Sequence, residues 1–243
     1  MIKHALSIGL LASAMASSQA QELVTNGSFN VPLLTGSALM TDNVPGWSNV
    51  QLSAFNFTGY YASASDATSK GFVDGYGDSF KLWQASASPD GGSFLGDDGD
   101  PNFHTSIQQT ISGLTPGQGY VVSFYFGGGE ITRRDGPTTE WWDVNLGSDS
   151  ATSQRTAVLS TPNHGFANWQ KASMTFVATS TQELLSFTAG GTPNGAPPMA
   201  LLDGVSMVAA VPEPASYACF ALGLGLLGAA RHRARQSRRP NAA

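Results

Sequence analysis

Alternation of apolar and polar side chains is the feature of this chain that most constrains its fold. In the segment 119–126, Tyr120, Val122 and Phe124 fall on one side of an extended backbone, and the intervening residues fall on the other. Between residues 21 and 210, no apolar stripe with the 3.6-residue period of an amphipathic helix accompanies this pattern. The alternation therefore predicts an antiparallel β protein with little helix.

Turn-forming residues divide the middle of the chain into short extended segments, as Leu-Thr-Pro-Gly at 114–117 does. Seven segments carry the strand pattern: 105–111, 119–126, 140–146, 154–159, 169–177, 183–188 and 201–208. Seven strands separated by turns are typical of a β-sandwich, so we predict an all-β fold of two packed antiparallel sheets. Residues 49–92 combine Gly, Ser and Asp with many aromatic residues, which predicts an elaborated loop with short strands.

The first 20 residues have the three parts of a secretory signal peptide. Lys3 supplies the basic region, residues 5–16 form an apolar run, and small residues Ser18 and Ala20 precede the expected cleavage site. The apolar run is too short to remain in a membrane as a span. We therefore expect signal peptidase to release a chain that begins at Gln21.

A second apolar run, at about 215–230, lies close to the C-terminus. Its length of about 16 residues is slightly below the roughly 20 that a bilayer requires, and arginines follow it directly. Arginine clusters stay on the cytoplasmic side, so this run is predicted to be a transmembrane helix with residues 21–210 outside the inner membrane. Residues 21–210 are numerous enough for one domain with a core of its own.

The tail at 211–243 carries a motif that indicates its function more specifically than its apolar character does. Pro212, Glu213 and Pro214 precede a short Gly/Leu/Ala-rich span, and Arg231 and Arg233 follow it. This arrangement resembles the PEP-CTERM sorting signals. The resemblance implies processing near the prolines by an exosortase, a membrane enzyme of Gram-negative species that make exopolysaccharide, followed by release or anchoring outside the cell. An ordinary stop-transfer anchor is the alternative.

The charge of the central region limits its partners. Residues 21–210 contain six basic and sixteen acidic side chains, a balance that the net charge of −5 for the whole chain conceals. Because phosphate backbones select basic surfaces, this composition argues against a nucleic-acid partner and favours neutral glycans or cations. The only cysteine, Cys219, lies in the tail, so the domain must fold without disulfides.

Short motifs spread over the whole central region occur in a characteristic order. They are Asn-Gly-Ser-Phe at 26–29, Pro-Gly-Trp at 45–47, Ser-Phe-Leu-Gly-Asp at 93–97, Ile-Gln-Gln-Thr-Ile at 107–111, Leu-Thr-Pro-Gly at 114–117 and Leu-Asp-Gly-Val-Ser at 202–206. Together they resemble the galactose-binding-like jelly rolls, which include carbohydrate-binding modules. The resemblance implies a non-catalytic domain that binds carbohydrate, such as an exopolysaccharide. A structural matrix or biofilm protein without a small-ligand site is the alternative.

One strand offers a candidate carbohydrate site. In 140–146, Trp142 and its neighbours in phase are expected to face the core, which leaves Trp141, Asp143 and Asn145 on the outer face. An indole beside a carboxylate and an amide combines the apolar platform and the directional hydrogen bonds that sugar recognition requires. The alternative is that the loop at 50–90 covers Trp141, or that a bulge reverses the register.

Calcium is the cofactor that the jelly-roll resemblance implies. Asp203 lies in phase with Leu201 and Val205, so its carboxylate is predicted to need a partner. In the family the matching Asp joins oxygens of the N-terminal segment around a structural calcium ion, which here would pair Asp203 with Asn30. The family usually has Glu at that second position, and a hydrogen-bonded or half-exposed Asp203 is the alternative. The acidic stretch 97–100 is predicted to be a solvated turn.

Catalysis is not expected of this chain. Four carboxylates could in principle form the acid and base pair of a glycoside hydrolase, which makes hydrolysis a remote alternative: Glu130, Glu140, Asp143 and Glu183. The sequence gives no distance between any two of them. Two histidines without a cysteine beside them do not indicate a transition-metal site.

Overall fold

The computed structural model describes residues 21–32, 35–41, 44–52, 55, 57–103, 105–210 and 223. Two six-stranded sheets pack face to face, and every pair of neighbouring strands is antiparallel. The all-β sandwich predicted from the alternation is therefore confirmed. Within the described residues, no helix is long and apolar enough to span a bilayer. The predicted signal peptide and nearly all of the predicted transmembrane helix lie outside the described residues.

The first sheet contains the last and longest strands of the chain. Its strands in spatial order are β1 (Ala38–Leu39), β3 (Gly59–Tyr61), β6 (Phe94–Asp98), β14 (Pro198–Ala209), β8 (Gly119–Glu130) and β12 (Phe166–Val177). β8 and β12 continue beyond the segments predicted from the sequence. The central position of β14 and β6 means that both are enclosed by other strands.

The second sheet carries the strands that matter for the candidate carbohydrate site. Its order is β10 (Gln154–Arg155), β9 (Thr138–Leu146), β13 (Gln182–Thr192), β7 (Thr105–Ser112) and β2 (Ser48–Gln51), with β11 (Leu159–Thr161) also paired with β9. The segment 154–159, predicted as one strand, is thus two short strands separated by a break.

A hydrophobic core fills the space between the sheets. Both sheets contribute large side chains that are fully or almost fully buried, among them Phe124 and Leu202 from the first sheet and Trp142 and Phe187 from the second. The indole Nε1 of Trp142 donates a hydrogen bond of 3.0 Å to the Leu201 carbonyl, which joins the two sheets. Burial of these alternating side chains fixes the register of each strand, because a slip of one residue would expose them.

The segment 62–85 covers part of the outer face of the first sheet. It contains helix α1 (Ala64–Ser69) and the hairpin strands β4 (Phe72–Val73) and β5 (Ser79–Phe80). The side chain of Ser63 caps α1 by accepting a hydrogen bond of 3.0 Å from the Asp66 amide. Aromatic side chains of this segment form a second core with Met199 and Leu201 of β14. β6, the first half of β14 and the end of β8 are therefore buried on both faces.

Candidate functional site

The outer face of the second sheet is open. None of the described helices or strands packs extensively against it. The alternation along β9 runs as predicted, since Trp142, Val144 and Leu146 are buried and the intervening Trp141 and Asp143 are partly exposed. The long loop that the sequence allowed as a cover for Trp141 packs on the first sheet instead.

Outward side chains of adjacent strands stand in register and form a polar row across this face. Asn145 of β9 lies opposite Ser186 of β13, which lies opposite Gln108 of β7, and Gln108 lies opposite Ser48 of β2. Gln108 is braced by a 3.0 Å hydrogen bond from its Nε2 to the Ser106 hydroxyl. With strands about 4.8 Å apart, this row of amides and hydroxyls is roughly 14 Å long.

A cluster of three side chains stands beside the row. Arg155 donates to Asp143 through two nitrogens, Nε to Oδ1 at 2.7 Å and Nη2 to Oδ2 at 2.8 Å. The indole Nε1 of Trp141 donates to Asp143 Oδ2 at 3.3 Å, and the Arg155 guanidinium carbon lies 4.7 Å from the centre of the indole ring. Asp143 therefore fixes both the aromatic ring and the cation that lies over it.

Gly190 of β13 determines where the indole lies. Gly190 is the direct cross-strand neighbour of Trp141, and a β-carbon at position 190 would overlap the indole ring. The absence of that atom lets the ring lie close to the backbone of β13. The sequence predicted the side of the sheet on which Trp141 stands, but neither Gly190 nor Arg155 was predicted to take part.

Asn145 has a largely structural role. Its Nδ2 donates to the Gly147 carbonyl at 3.0 Å, and its Oδ1 accepts from the Thr152 hydroxyl at 2.8 Å. These bonds hold the turn that follows β9. The Asn145 amide therefore keeps one N–H and one oxygen lone pair for a ligand, whereas the single N–H of Trp141 is already donated to Asp143.

A cleft of about 490 Å³ lies at the β2 end of the polar row. Ser48 and Gln108 line it on the sheet side, and residues 44–47 form its rim. Gln109 supports the floor, since its Nε2 donates at 2.8 Å to the carbonyls of both Thr25 and Gly46. The row of outward side chains therefore ends in a shallow cleft whose lining is about half polar and half apolar.

The prediction that Asp203 lies in phase with core residues on both sides of it is wrong. Gly204 adopts a positive φ of 58°, and the pairing of β14 with β8 shifts between Asp203 and Ser206. This bulge reverses the alternation, because Leu201 packs in the second core, on the outer side of the first sheet, whereas Val205 packs between the two sheets. Asp203 thus faces the outer side of the first sheet.

The carboxyl group of Asp203 is fully buried, and neither of its oxygens has a hydrogen-bond partner. Its pKa is raised to about 7, chiefly by burial and to a smaller extent by the charge of nearby Asp90, against the lowering effects of the Ser88 hydroxyl and the Gly204 amide. Ser88 and Gly204 lie close by without completing hydrogen-bond geometry. Two unpaired and buried carboxylate oxygens are an arrangement that a bound cation would stabilise.

Asn30, the partner predicted for Asp203, is exposed. Its backbone amide donates a hydrogen bond of 2.8 Å to the Asn26 side-chain oxygen, which shapes the N-terminal loop. Asp90 is the acidic residue next to Asp203, and its side chain packs against Gly204. Among the described residues, no group of three His, Cys, Asp or Glu side chains could hold a metal. A calcium ion here would therefore depend on Asp203, Asp90 and hydroxyl or carbonyl oxygens.

The prediction of a solvated acidic turn at 97–100 is also wrong. Asp97, Asp98 and Asp100 are all buried, because β6 lies inside the first sheet and is covered on both faces. Asp97 accepts hydrogen bonds from the Thr58 hydroxyl at 2.8 Å and the Thr105 hydroxyl at 3.2 Å. Desolvation nevertheless raises the pKa of Asp97 to about 7.

The carboxylates considered for hydrolysis occupy different surroundings. Glu140 is fully buried between the sheets and accepts hydrogen bonds from the Thr138 and Thr161 hydroxyls, and burial raises its pKa to about 7. Glu130 accepts from the His164 amide, and Glu183 accepts from the Thr179 amide at 2.7 Å. Asp143 is paired with Arg155. Each of the four thus has a structural partner.

Comparison with known families identifies the tail. The model of the PEP-CTERM protein-sorting motif matches residues 210–235. The chain therefore carries a PEP-CTERM sorting signal, which indicates export and a membrane-anchored step at the C-terminus. The match confirms the interpretation of the tail, whereas the individual roles of Pro212, Glu213, Pro214, Arg231 and Arg233 stay predictions. No curated protein matches the chain.

Similar solved structures include a cyclase and a xylan-binding domain. The Stig cyclase Fisc from Fischerella sp. TAU has a TM-score of 0.53 and 15% identity, over 80% of this chain and 100% of the cyclase. At that identity the likeness shows the fold alone. The CBM22-1 xylan-binding domain of Paenibacillus barcinonensis Xyn10C has a TM-score of 0.40 and 11% identity, over 80% of this chain and 97% of that domain.

Proposed function

We propose that the exported domain binds a neutral polysaccharide, such as an exopolysaccharide, across the outer face of the second sheet and without catalysis. The observation that carries this proposal is the row of outward side chains that leads from Asn145 across Ser186 to Gln108 and Ser48 and ends in the cleft. Amides and hydroxyls both donate and accept hydrogen bonds, as sugar hydroxyls do. A linear chain of sugars could therefore pair with several of them at once.

The Trp141 cluster supplies the apolar and charged contacts at the other end of the row. The indole is already held by Asp143 and Gly190, so little side-chain entropy would be lost when a sugar packs against its exposed part. The paired Arg155 and Asp143 offer further donors and acceptors at the same edge. The acidic balance of the domain disfavours polyanionic ligands, which supports a neutral one.

Titration of the purified domain, residues 21–210, with a panel of neutral and acidic polysaccharides tests this proposal. We expect saturable binding of a neutral polymer and at least a tenfold loss of affinity in Trp141→Ala and in Gln108→Ala. Trp83→Ala is the matched control, because Trp83 is an exposed indole that packs on His164 and belongs neither to the polar row nor to the Trp141 cluster. Absence of saturable binding would leave a structural matrix role for the domain.

We also propose that Asp203 and Asp90 hold a calcium ion that ties the bulge of β14 to the segment 88–93. The support is the pair of buried and unpartnered Asp203 oxygens. Calcium at 100 times its dissociation constant would stabilise the fold by about 2.7 kcal/mol, or roughly 5–10 °C in Tm. Asp203→Ala should abolish the difference in Tm between calcium and chelator. Equal Tm values for the wild-type domain in calcium and in chelator would rule out the calcium site.

A further inference from the structure

The last strand of the folded domain ends directly before the sorting signal begins. β14 ends at Ala209, and Ala210, the first residue of the matched motif, is still hydrogen-bonded to the sheet. The Ala210 amide donates to the Gly119 carbonyl at 2.8 Å, and the Gln118 side chain donates from Nε2 to the Ala210 carbonyl at 3.1 Å. Both main-chain groups of Ala210 are therefore engaged by the start of β8.

Main-chain hydrogen bonds also connect the turns around Ala210 at this end of the sandwich. The Gly117 amide donates to the Ala178 carbonyl at 2.8 Å, and the Ala178 amide donates to the Gln118 carbonyl at 3.0 Å. The Leu114 amide donates to the Thr181 carbonyl at 3.1 Å. The turns at 113–118 and 178–182 are thus held together by main-chain hydrogen bonds, and Ala210 is hydrogen-bonded to the same end of the sandwich.

Only Val211 separates this fastened residue from Pro212. An extended chain advances about 3.4 Å per residue, so Pro212 can lie no more than roughly 7 Å beyond Ala210. Enzymes that act on a peptide bond bind the chain around it in extended form, which requires backbone that is free of other hydrogen bonds. The backbone of Ala210, two residues before Pro212, is not free in the folded domain.

We infer that the clamp of Gln118 and Gly119 on Ala210 limits the access of the exosortase to the Pro-Glu-Pro segment, and that release of Ala210 from the sheet precedes processing. The inference concerns only the step before any bond is broken. It rests on the sorting signal and is independent of the carbohydrate proposal. Local opening of a strand end is a low-energy event, so the clamp would slow processing without preventing it.

The test measures the rate of processing of the full chain by pulse-chase in a host that contains an exosortase. Insertion of eight Gly and Ser residues between Ala210 and Val211 is expected to accelerate processing at least fivefold. Gln118→Ala removes one of the two bonds and is expected to accelerate it about fivefold, which corresponds to about 1 kcal/mol for one hydrogen bond. Gln182→Ala is the matched control, because Gln182 is exposed at the same end but bonds to Ser112.

Combining the two changes sharpens the test. If the linker already frees the cleavage segment, Gln118→Ala should have no further effect in the linker variant. Unchanged or slower processing of the linker variant would overturn the inference, as would equal acceleration by Gln118→Ala and Gln182→Ala. Thermal unfolding of residues 21–210 carrying each substitution identifies any acceleration that comes from loss of the whole fold rather than from the clamp.

Discussion

The buried carboxyl group of Asp97 contributes to the pH dependence of the domain's stability, and Asp97→Asn is expected to remove that contribution. Burial raises the pKa of Asp97 from 3.8 to about 7 despite hydrogen bonds from Thr58 and Thr105. Between these values the folded protein keeps a proton on Asp97, whereas the unfolded chain has lost it. The stability that this proton confers is fully present below about pH 4, falls as the pH rises and is lost above about pH 7.

The size of the effect follows from the raised pKa. Each pH unit within the window changes the free energy of unfolding by about 1.4 kcal/mol for one group, so Asp97 accounts for roughly 3 kcal/mol between pH 5 and 7. Urea unfolding at a series of pH values, with chelator present to keep the Asp203 site free of calcium, measures this dependence. Asp97→Asn should flatten the curve by that amount over the same window.

The control for this experiment is Asp149→Asn. Asp149 is exposed and caps the short 3₁₀ helix Ser150–Thr152, a position that asparagine fills equally well. This variant should follow the pH dependence of the wild type. Parallel curves for wild type and Asp97→Asn would refute the reasoning, since they would mean that Asp97 is already ionised in the folded protein at pH 5.

Three further perturbations address the open face and the tail. Gly190→Ala places a methyl group against the Trp141 ring and should cost about 1–3 kcal/mol in urea unfolding, whereas Gly75→Ala, where no atom lies within 4 Å, should be neutral. Arg155→Ala should lower stability by less than about 1 kcal/mol, because the pair is exposed, but should change polysaccharide affinity in calorimetric titration. Deletion of residues 231–243 should leave export intact and block sorting, and normal surface delivery of that truncated chain would contradict the assigned role of the arginines.

Much of the candidate site was accessible from the sequence because side-chain alternation is a local property. The two-residue period of β9 placed Trp141 and Asp143 opposite the buried Trp142 without any knowledge of the neighbouring strands. The same reasoning failed at Asp203, where Gly204 adds a bulge that reverses the alternation. A glycine in a strand signals that a bulge is possible, but its location depends on the partner strand.

The sequence by itself determined the all-β class, the side of β9 on which each residue stands and the sorting signal at the C-terminus, since each is encoded in a contiguous stretch of chain. Only the tertiary structure decided which sheet face stays open, which residues flank Trp141 and how deeply Asp97 is buried. Gly190 lies 49 residues beyond Trp141, and Arg155 meets Asp143 only through the register of β10 on β9. Strand order and register depend on burial summed over both sheets, and no local pattern carries that information.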